Sequence, residues 1–390
     1  MFEIKGKYNT AKVMLPDPGK LDGETLRQIS SFLDHPAFEG SPIAVMPDTH
    51  AGAGAVIGFT MKMNEYVIPN VVGVDIGCGV ETYTLDGIGG LDPAKLDRFI
   101  YGNIPAGFKK RVRAPFALPE VSGFLTKDDA LLIERDIPET VRETGQDLDN
   151  VLQSAGTLGG GNHFIEAGLD SSGRTRLTIH SGSRNFGLKI AHFHQSRAKD
   201  KADKKTGVPG LEYLGMKHGG RDYLKDMNIA QRFADLNRRI IAMVIIGGFF
   251  GLDYARIERI RSVHNFIDFE DQMIRKGAIR AYKGERLVIP FNMEDGLIIG
   301  KGRSNREWNF SAPHGAGRVL SRRKAKETLD LAEVRRSMKE KGVYTTSLNK
   351  GTLDEAKTAY KDKDMILSAI EPSVEIEDFV RPVYNFKAGE

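Results

Sequence analysis

Short apolar runs broken by glycine-rich turns recur along this chain, mixed with longer helix-like stretches in no βαβ order. That irregular succession is what most restricts the fold, because parallel, doubly wound sheets need a regular alternation of strand and helix. Residues 41–83 read as two or three strands, Pro-Ile-Ala-Val-Met-Pro, Ala-Val-Ile-Gly-Phe-Thr-Met and Val-Val-Gly-Val-Asp-Ile, with Asp48 and His50 in the first linking turn. After a glycine-rich loop, Phe-Ile-Glu-Ala-Gly-Leu and Arg-Leu-Thr-Ile-His read as two more, and within 275–300 so do Arg-Leu-Val-Ile-Pro and Leu-Ile-Ile-Gly. Helical patterning covers 126–153, where Pro138 marks a start or a break, then 187–205, 222–246 closing on Gly247-Gly248, 253–264, and a segment after His314. Short elements complete the chain. With no repeat, low-complexity tract or linker, the expectation is one large α+β domain of mixed sheets and helices spanning 1–390.

Forty-three glycines against 16 prolines point to close backbone approaches rather than disorder. No stretch reaches the roughly 18 apolar residues of a membrane span, and the first residues lack the apolar core of a leader, so a soluble cytoplasmic protein is expected. The net charge of +4 permits a nucleic-acid partner without demanding one. Basic residues cluster at 109–113, at 199–205, from Arg318 to Lys326, and from Arg335 to Lys341; such clusters either hold a phosphate backbone or are solvated helix faces.

The single cysteine, Cys78, stands three residues after Asp75 in Val-Gly-Val-Asp-Ile-Gly-Cys-Gly. It has no partner for an internal disulfide, which leaves a buried filler, a reactive thiol or a ligand. A carboxylate and a thiolate so close together suit a borderline divalent cation. Of nine histidines, His163, His180, His264 and His314 lie in glycine-rich or polar settings. Asp75, Cys78, His163, His180 and His264 make five ligand-type groups, enough for two ions sharing the thiolate and clamping phosphate oxygens. His192 and His194, two apart on a helix, point to different faces and read as packing or surface residues. His35 and His218 carry no further signal, and His50 reads as a supporting or substrate contact. His314 differs in kind: Gly-Ala-Gly-Arg follows it, so a phosphate can come close and Arg318 can hold it, which is what a histidine nucleophile attacking phosphorus needs.

Taken together and in this order, Met-Pro-Asp-Thr-His-Ala-Gly-Ala-Gly, Gly-Val-Asp-Ile-Gly-Cys-Gly, Gly-Asn-His-Phe-Ile-Glu, Ile-His-Ser-Gly-Ser-Arg, Val-His-Asn, Arg-Lys-Gly-Ala and His-Gly-Ala-Gly-Arg resemble the RtcB family of RNA-splicing ligases over nearly the whole chain. The resemblance implies an RtcB-like fold and a ligase that uses GTP and two manganese ions. Such an enzyme joins RNA ending in a 3'-phosphate or 2',3'-cyclic phosphate to RNA with a 5'-hydroxyl. It places Asp75, Cys78, His163, His180 and His264 at metal positions and His314 at the histidine that becomes guanylylated. Nucleotide contacts would come from Asn162, His163, Phe164, Ile165, Glu166, His264 and Asn265, from Pro290, Asn292 and Met293, and from His314, Gly315, Ala316, Gly317 and Lys387, with Glu166 and Lys387 on the guanine edge. The expected partners are GTP, RNA with these ends and an accessory protein, for an enzyme acting as a monomer in tRNA splicing or RNA repair.

The chain departs from the family pattern where Phe291, Asn292, Met293 and Glu294 follow Pro290, in place of a glycine-serine segment. Bulk from Phe291 and charge from Glu294 are expected near the phosphate site, with Asn292 replacing a serine donor. These changes point to a divergent branch. The alternative function is a metal-dependent RNA-end phosphoesterase that has lost guanylylation.

Overall fold

A computed structural model of the chain describes residues 1–88, 90–201 and 208–388. Two large sheets carry the architecture. The six-stranded one runs, in spatial order, Phe2–Lys5, Thr10–Val13, Ile43–His50, Ile57–Lys62, Met273–Lys276 and Asn265–Asp268. The seven-stranded one runs Arg259–Val263, Gly79–Leu85, Thr175–Ser181, Phe164–Leu169, Val374–Lys387, Gly296–Gly302 and Arg286–Asn292. Within these two sheets only the pairing of Thr10–Val13 with Ile43–His50 is parallel, so the fold is α+β.

Helix Gly220–Gly248 is the longest element, at 29 residues, and most of its length is buried. Its side chains tie the seven-stranded sheet to one loop. Arg238, nearly fully buried, donates to Glu81 at 2.9 Å, to the carbonyl of Gly77 at 2.7 Å and to that of Ser181 at 2.9 Å. Asn237 donates to the Ser181 hydroxyl and to the Gly182 carbonyl, both at 3.0 Å. Gly77 has φ +70°, and a Cβ there would lie 2.8 Å from that of Ala234, so only glycine lets the loop press this close to the helix. Without Arg238 the buried carboxylate of Glu81 would keep only the Tyr83 hydroxyl at 2.6 Å and the more distant Arg259 at 3.8 Å.

Several expected elements differ. Val-Val-Gly-Val-Asp-Ile is not a strand: a short helix at Pro69–Val72 is followed by a turn, and the strand, Gly79–Leu85, begins after Cys78. Pro69 starts that helix and Gly73, at φ +96°, ends it; an apolar run of this length does not by itself distinguish strand from buried helix. Asp48 and His50 lie within strand Ile43–His50 rather than in a turn. The segment 253–264 is a 3-10 turn, Tyr254–Arg256, and then strand Arg259–Val263, paired to Gly79–Leu85. Pro138 does mark a start: it stands in the first turn of helix Ile137–Glu143, where its missing N–H costs nothing, and a π-turn over Leu132–Asp136 joins that helix to the one before. The helix expected over 187–205 is Arg184–Lys201, and 202–205 lie outside the described residues. The helix after His314 is Arg322–Thr328, and the short elements expected toward the C-terminus include one strand of 14 residues. No described helix is long and apolar enough to cross a membrane.

Candidate active site

The Asp75–Cys78 loop, the ends of strands Phe164–Leu169, Thr175–Ser181 and Arg259–Val263, and the glycine loops around them meet at one point. Cys78 Sγ lies 3.2 Å from His180 Nε2 and 3.4 Å from His163 Nε2, and all three residues are buried. His163 Nε2 is 2.9 Å from an Asp75 carboxylate oxygen, and His180 Nε2 is 3.2 Å from His264 Nε2. The five ligand-type residues read from the sequence are thus brought together from widely separated segments.

Their chemistry fits a divalent cation. Burial and the neighbouring Asp75 push the Cys78 thiol well up, while burial, with other imidazoles close by, pushes His180 and His264 well down. Burial opposes the charge on half-buried Asp75, yet His163 holds its carboxyl down at about 2. His180 Nδ1 is 3.0 Å from the Asn162 carbonyl, which only accepts, so the proton sits on Nδ1 and the Nε2 lone pair faces the cluster. Nδ1 of His163 and of His264 are buried with no partner among the described residues. A His180 lone pair turned toward a thiol, with a carboxylate and two further imidazoles beside it, forms a donor set that a cation would convert to ligands.

His264 also packs against His314, with ring centres 4.8 Å apart and planes tilted by 51°. The Nδ1 of His314 lies 2.7 Å from a carboxylate oxygen of fully buried Asp48, and the His314 backbone N–H reaches the same oxygen at 3.3 Å. That carboxylate takes the Nδ1 proton in a hydrogen bond, leaving the Nε2 lone pair free. The sequence offered Asp48 only as a turn residue; its partnership with a histidine 266 positions away is a product of folding.

A cleft of about 670 Å³ opens over the cluster, a size suited to a nucleotide. It is lined by Asn162, Phe164, Glu166, His264 and Asn265, by Pro290, Asn292 and Met293, by His314, Gly315, Ala316 and Gly317, and by Lys387. His163 and Ile165 are not in its wall. His163 belongs to the cluster beneath, and Ile165 is fully buried in the main core, because alternate residues of strand Phe164–Leu169 face opposite sides. Phe291 does line the cleft, whereas Glu294 does not: its carboxylate turns away and accepts from Ser337 at 2.6 Å. Asn292 is engaged with its own turn, accepting from the N–H groups of Glu294 and Asp295 at 2.9 and 3.0 Å.

The far wall is charged. Burial pushes the Glu166 carboxyl up to about 7, against a 2.8 Å hydrogen bond from Asn385 and the charge of Lys387. Lys387 pairs at 2.9 Å with Glu355; burial opposes the Glu355 charge, yet Lys387 and Arg318 hold that carboxyl down at about 2. Arg318 donates to the Asp354 carbonyl at 2.6 Å and to Glu355 at 3.1 Å, so its expected role of holding phosphate competes with these bonds. Lys326 also points to Asp354, at 3.5 Å, which makes much of this basic cluster an ion-pair network. His194, read from the sequence as a packing or surface residue, is fully buried and 2.7 Å from Asp226. Asn385, Glu355 and Arg184 were not singled out from the sequence.

A family model described as tRNA-splicing ligase RtcB matches residues 28–388. The chain is 31% identical over 371 residues to the RNA-splicing ligase RtcB of Escherichia coli K12, covering 88% of this chain and 90% of that protein. It is 29% identical over 406 residues to the tRNA-splicing ligase RtcB of Nanoarchaeum equitans, with 83% of each covered. It is 28% identical over 398 residues to that of Aeropyrum pernix, with 83% and 82% covered.

Proposed function

The chain belongs to the RtcB family of RNA-splicing ligases, and from that premise we propose that it is a GTP- and manganese-dependent ligase joining RNA 3'-phosphate or 2',3'-cyclic phosphate ends to 5'-hydroxyl ends through guanylylated His314. The observation that carries the reading is the Asp48–His314 pair, set beside the histidine-thiol cluster at the cleft wall. His314 Nε2 attacks the α-phosphorus of GTP; a P–N bond forms and pyrophosphate leaves. Asp48, buried and acceptor-only, stabilises the positive charge that the ring gains in that step. Asp75, Cys78, His163, His180 and His264 would hold the manganese, whose charge when bound neutralises phosphate oxygens.

Glu166, Asn385 and Lys387 face the base and select guanine by its donor-rich edge. An oxygen of the RNA 3'-phosphate then attacks the guanylyl phosphorus, breaking the P–N bond and returning His314 to its neutral form. Finally the 5'-hydroxyl oxygen bonds to the 3'-phosphorus, GMP departs, and the hydroxyl proton passes to water. A cyclic phosphate is hydrolysed to the 3'-phosphate beforehand.

Incubation with α-labelled GTP and manganese tests this reading. An acid-labile protein label that His314→Ala abolishes is the expected result. No label with any nucleotide would refute it, and hydrolysis of cyclic phosphate ends without joining would then favour the phosphoesterase.

A further inference from the structure

Outside the cleft, the loop from Ile104 to Pro119 contains no acidic residue and exposes an aromatic ring among cations. Phe108 is 93% exposed and Val112 91%, with Lys109, Lys110 and Arg113 exposed around them. Single exposed apolar residues are ordinary on protein surfaces. This one stands on a loop held firmly in place. The Gly107 N–H donates to the Gly159 carbonyl at 3.0 Å, the Arg111 N–H to that of Gln153 at 3.0 Å, and the Leu158 N–H to that of Pro105 at 2.9 Å. The Arg111 guanidinium is used inward, on the carbonyls of Gly156 and Asn103. Lys110 is bonded to Asn150, whereas Lys109 and Arg113 make no ion pair among the described residues.

One arginine links this loop to the metal cluster. Arg184 donates to the Gly107 carbonyl at 2.8 Å and to the Thr157 hydroxyl at 3.0 Å, and a Cβ on Gly159 would collide with both its guanidinium and the His163 ring. From His163 the rings run to His180 at 5.2 Å, to His264 at 5.0 Å and to His314 at 4.8 Å. The loop therefore meets the cluster at His163, through Gly159 and Arg184, whereas His314 meets it at His264. In-line displacement at phosphorus requires the entering hydroxyl opposite the leaving group, and GMP leaves on the His314 side.

We propose that loop 106–113 is the landing surface for the RNA strand that ends in the 5'-hydroxyl, with Phe108 stacking on a base and Lys109 and Arg113 meeting its phosphates. This assignment rests on the ligase reading for which strand is taken; the surface chemistry itself is that of a single-strand binder, since every base has a face to stack and the backbone is anionic. No base-edge recognition is built into it, so the sequence preference is weak.

The test is fluorescence anisotropy of the full chain with a single-stranded RNA bearing a 5'-hydroxyl, and separately with one bearing a 3'-phosphate and blocked at its 5' end. Phe108→Ala is expected to weaken the first by about tenfold, with recovery in Phe108→Trp. Lys109→Ala with Arg113→Ala should lower the slope of log affinity against log salt by about 0.7 for each RNA phosphate no longer neutralised. Lys5→Ala, at an exposed cation on the edge strand Phe2–Lys5 of the six-stranded sheet, is the control that should change neither. Unchanged affinity and slope in the loop variants overturn the proposal, as does a weakening confined to the 3'-phosphate strand. Wild-type protein that takes no label from GTP sinks the ligase reading instead, and the anisotropy comparison still decides whether the loop binds RNA.

Discussion

Glu166 is the residue whose environment allows the most quantitative test. Its folded carboxyl titrates at about 7, against 4.5 for an ordinary glutamate, because burial outweighs the Asn385 hydrogen bond and the Lys387 charge. At about 1.36 kcal/mol per pKa unit, the ionised carboxylate costs the fold about 3 kcal/mol. The sign follows from proton uptake: between about 4.5 and 7 the folded state keeps a proton that the unfolded state has lost, so stability falls as pH rises. Above 7 the full cost is present, and well below 4.5 it vanishes.

Glu166→Gln imitates the protonated form and keeps an acceptor for the Asn385 amide, now at 2.8 Å. Thermal melts of the metal- and nucleotide-free protein should show the variant more stable than wild type at pH 8, by up to about 3 kcal/mol, with most of that gap closed at pH 5. A gap of equal size at both values would refute the reasoning. The same group couples to ligand. Guanine presents N–H donors that require the ionised form, so nucleotide binding near pH 6 should release a proton, read as a buffer-dependent calorimetric heat. Glu166→Gln should lose both the release and the preference for guanine.

Other expectations rest on single contacts. Asp48→Asn places an amide against His314 Nδ1, so the ring can carry its proton on Nε2, and GTP labelling should fall by about 10²- to 10⁴-fold while folding is retained; a rate within twofold of wild type excludes this role for Asp48. Cys78→Ala should lose bound manganese, measured by elemental analysis after dialysis, together with labelling, and a variant keeping both would return Cys78 to a packing role. Gly159→Ala forces a Cβ at φ +93° against Arg184 and His163, so metal affinity should fall at least about tenfold; unchanged metal affinity and RNA affinity would show that this approach does not matter.

Much of the site was legible because its residues carry unusual local company. Cys78 is alone in the chain and near Asp75, and His163, His180, His264 and His314 each sit beside glycine, serine or asparagine, where backbones approach ligands closely. What escaped were partners of ordinary appearance. Asp48 in a strand, Asn385 and Glu355 on the far wall, and Arg184 behind the cluster have no local mark, because their roles come from contacts across long stretches of sequence. Ile165 shows the opposite case: it stands between two cleft residues in sequence, yet the strand's period of two turns its side chain into the core.

The α+β class and the catalogue of ligand-type residues were determined by sequence alone, since periodicity, glycine placement and residue chemistry are local properties. Tertiary structure decided where Val-Val-Gly-Val-Asp-Ile bends, that residues 259–263 pair as a strand, and that the final strand carries Asn385 and Lys387 to Glu166. It decided too that Asp48 meets His314. The reason is physical: burial and pairing are non-local, so the same apolar run can be helix or strand, and the same carboxylate a surface charge or a proton acceptor, until the rest of the chain surrounds it.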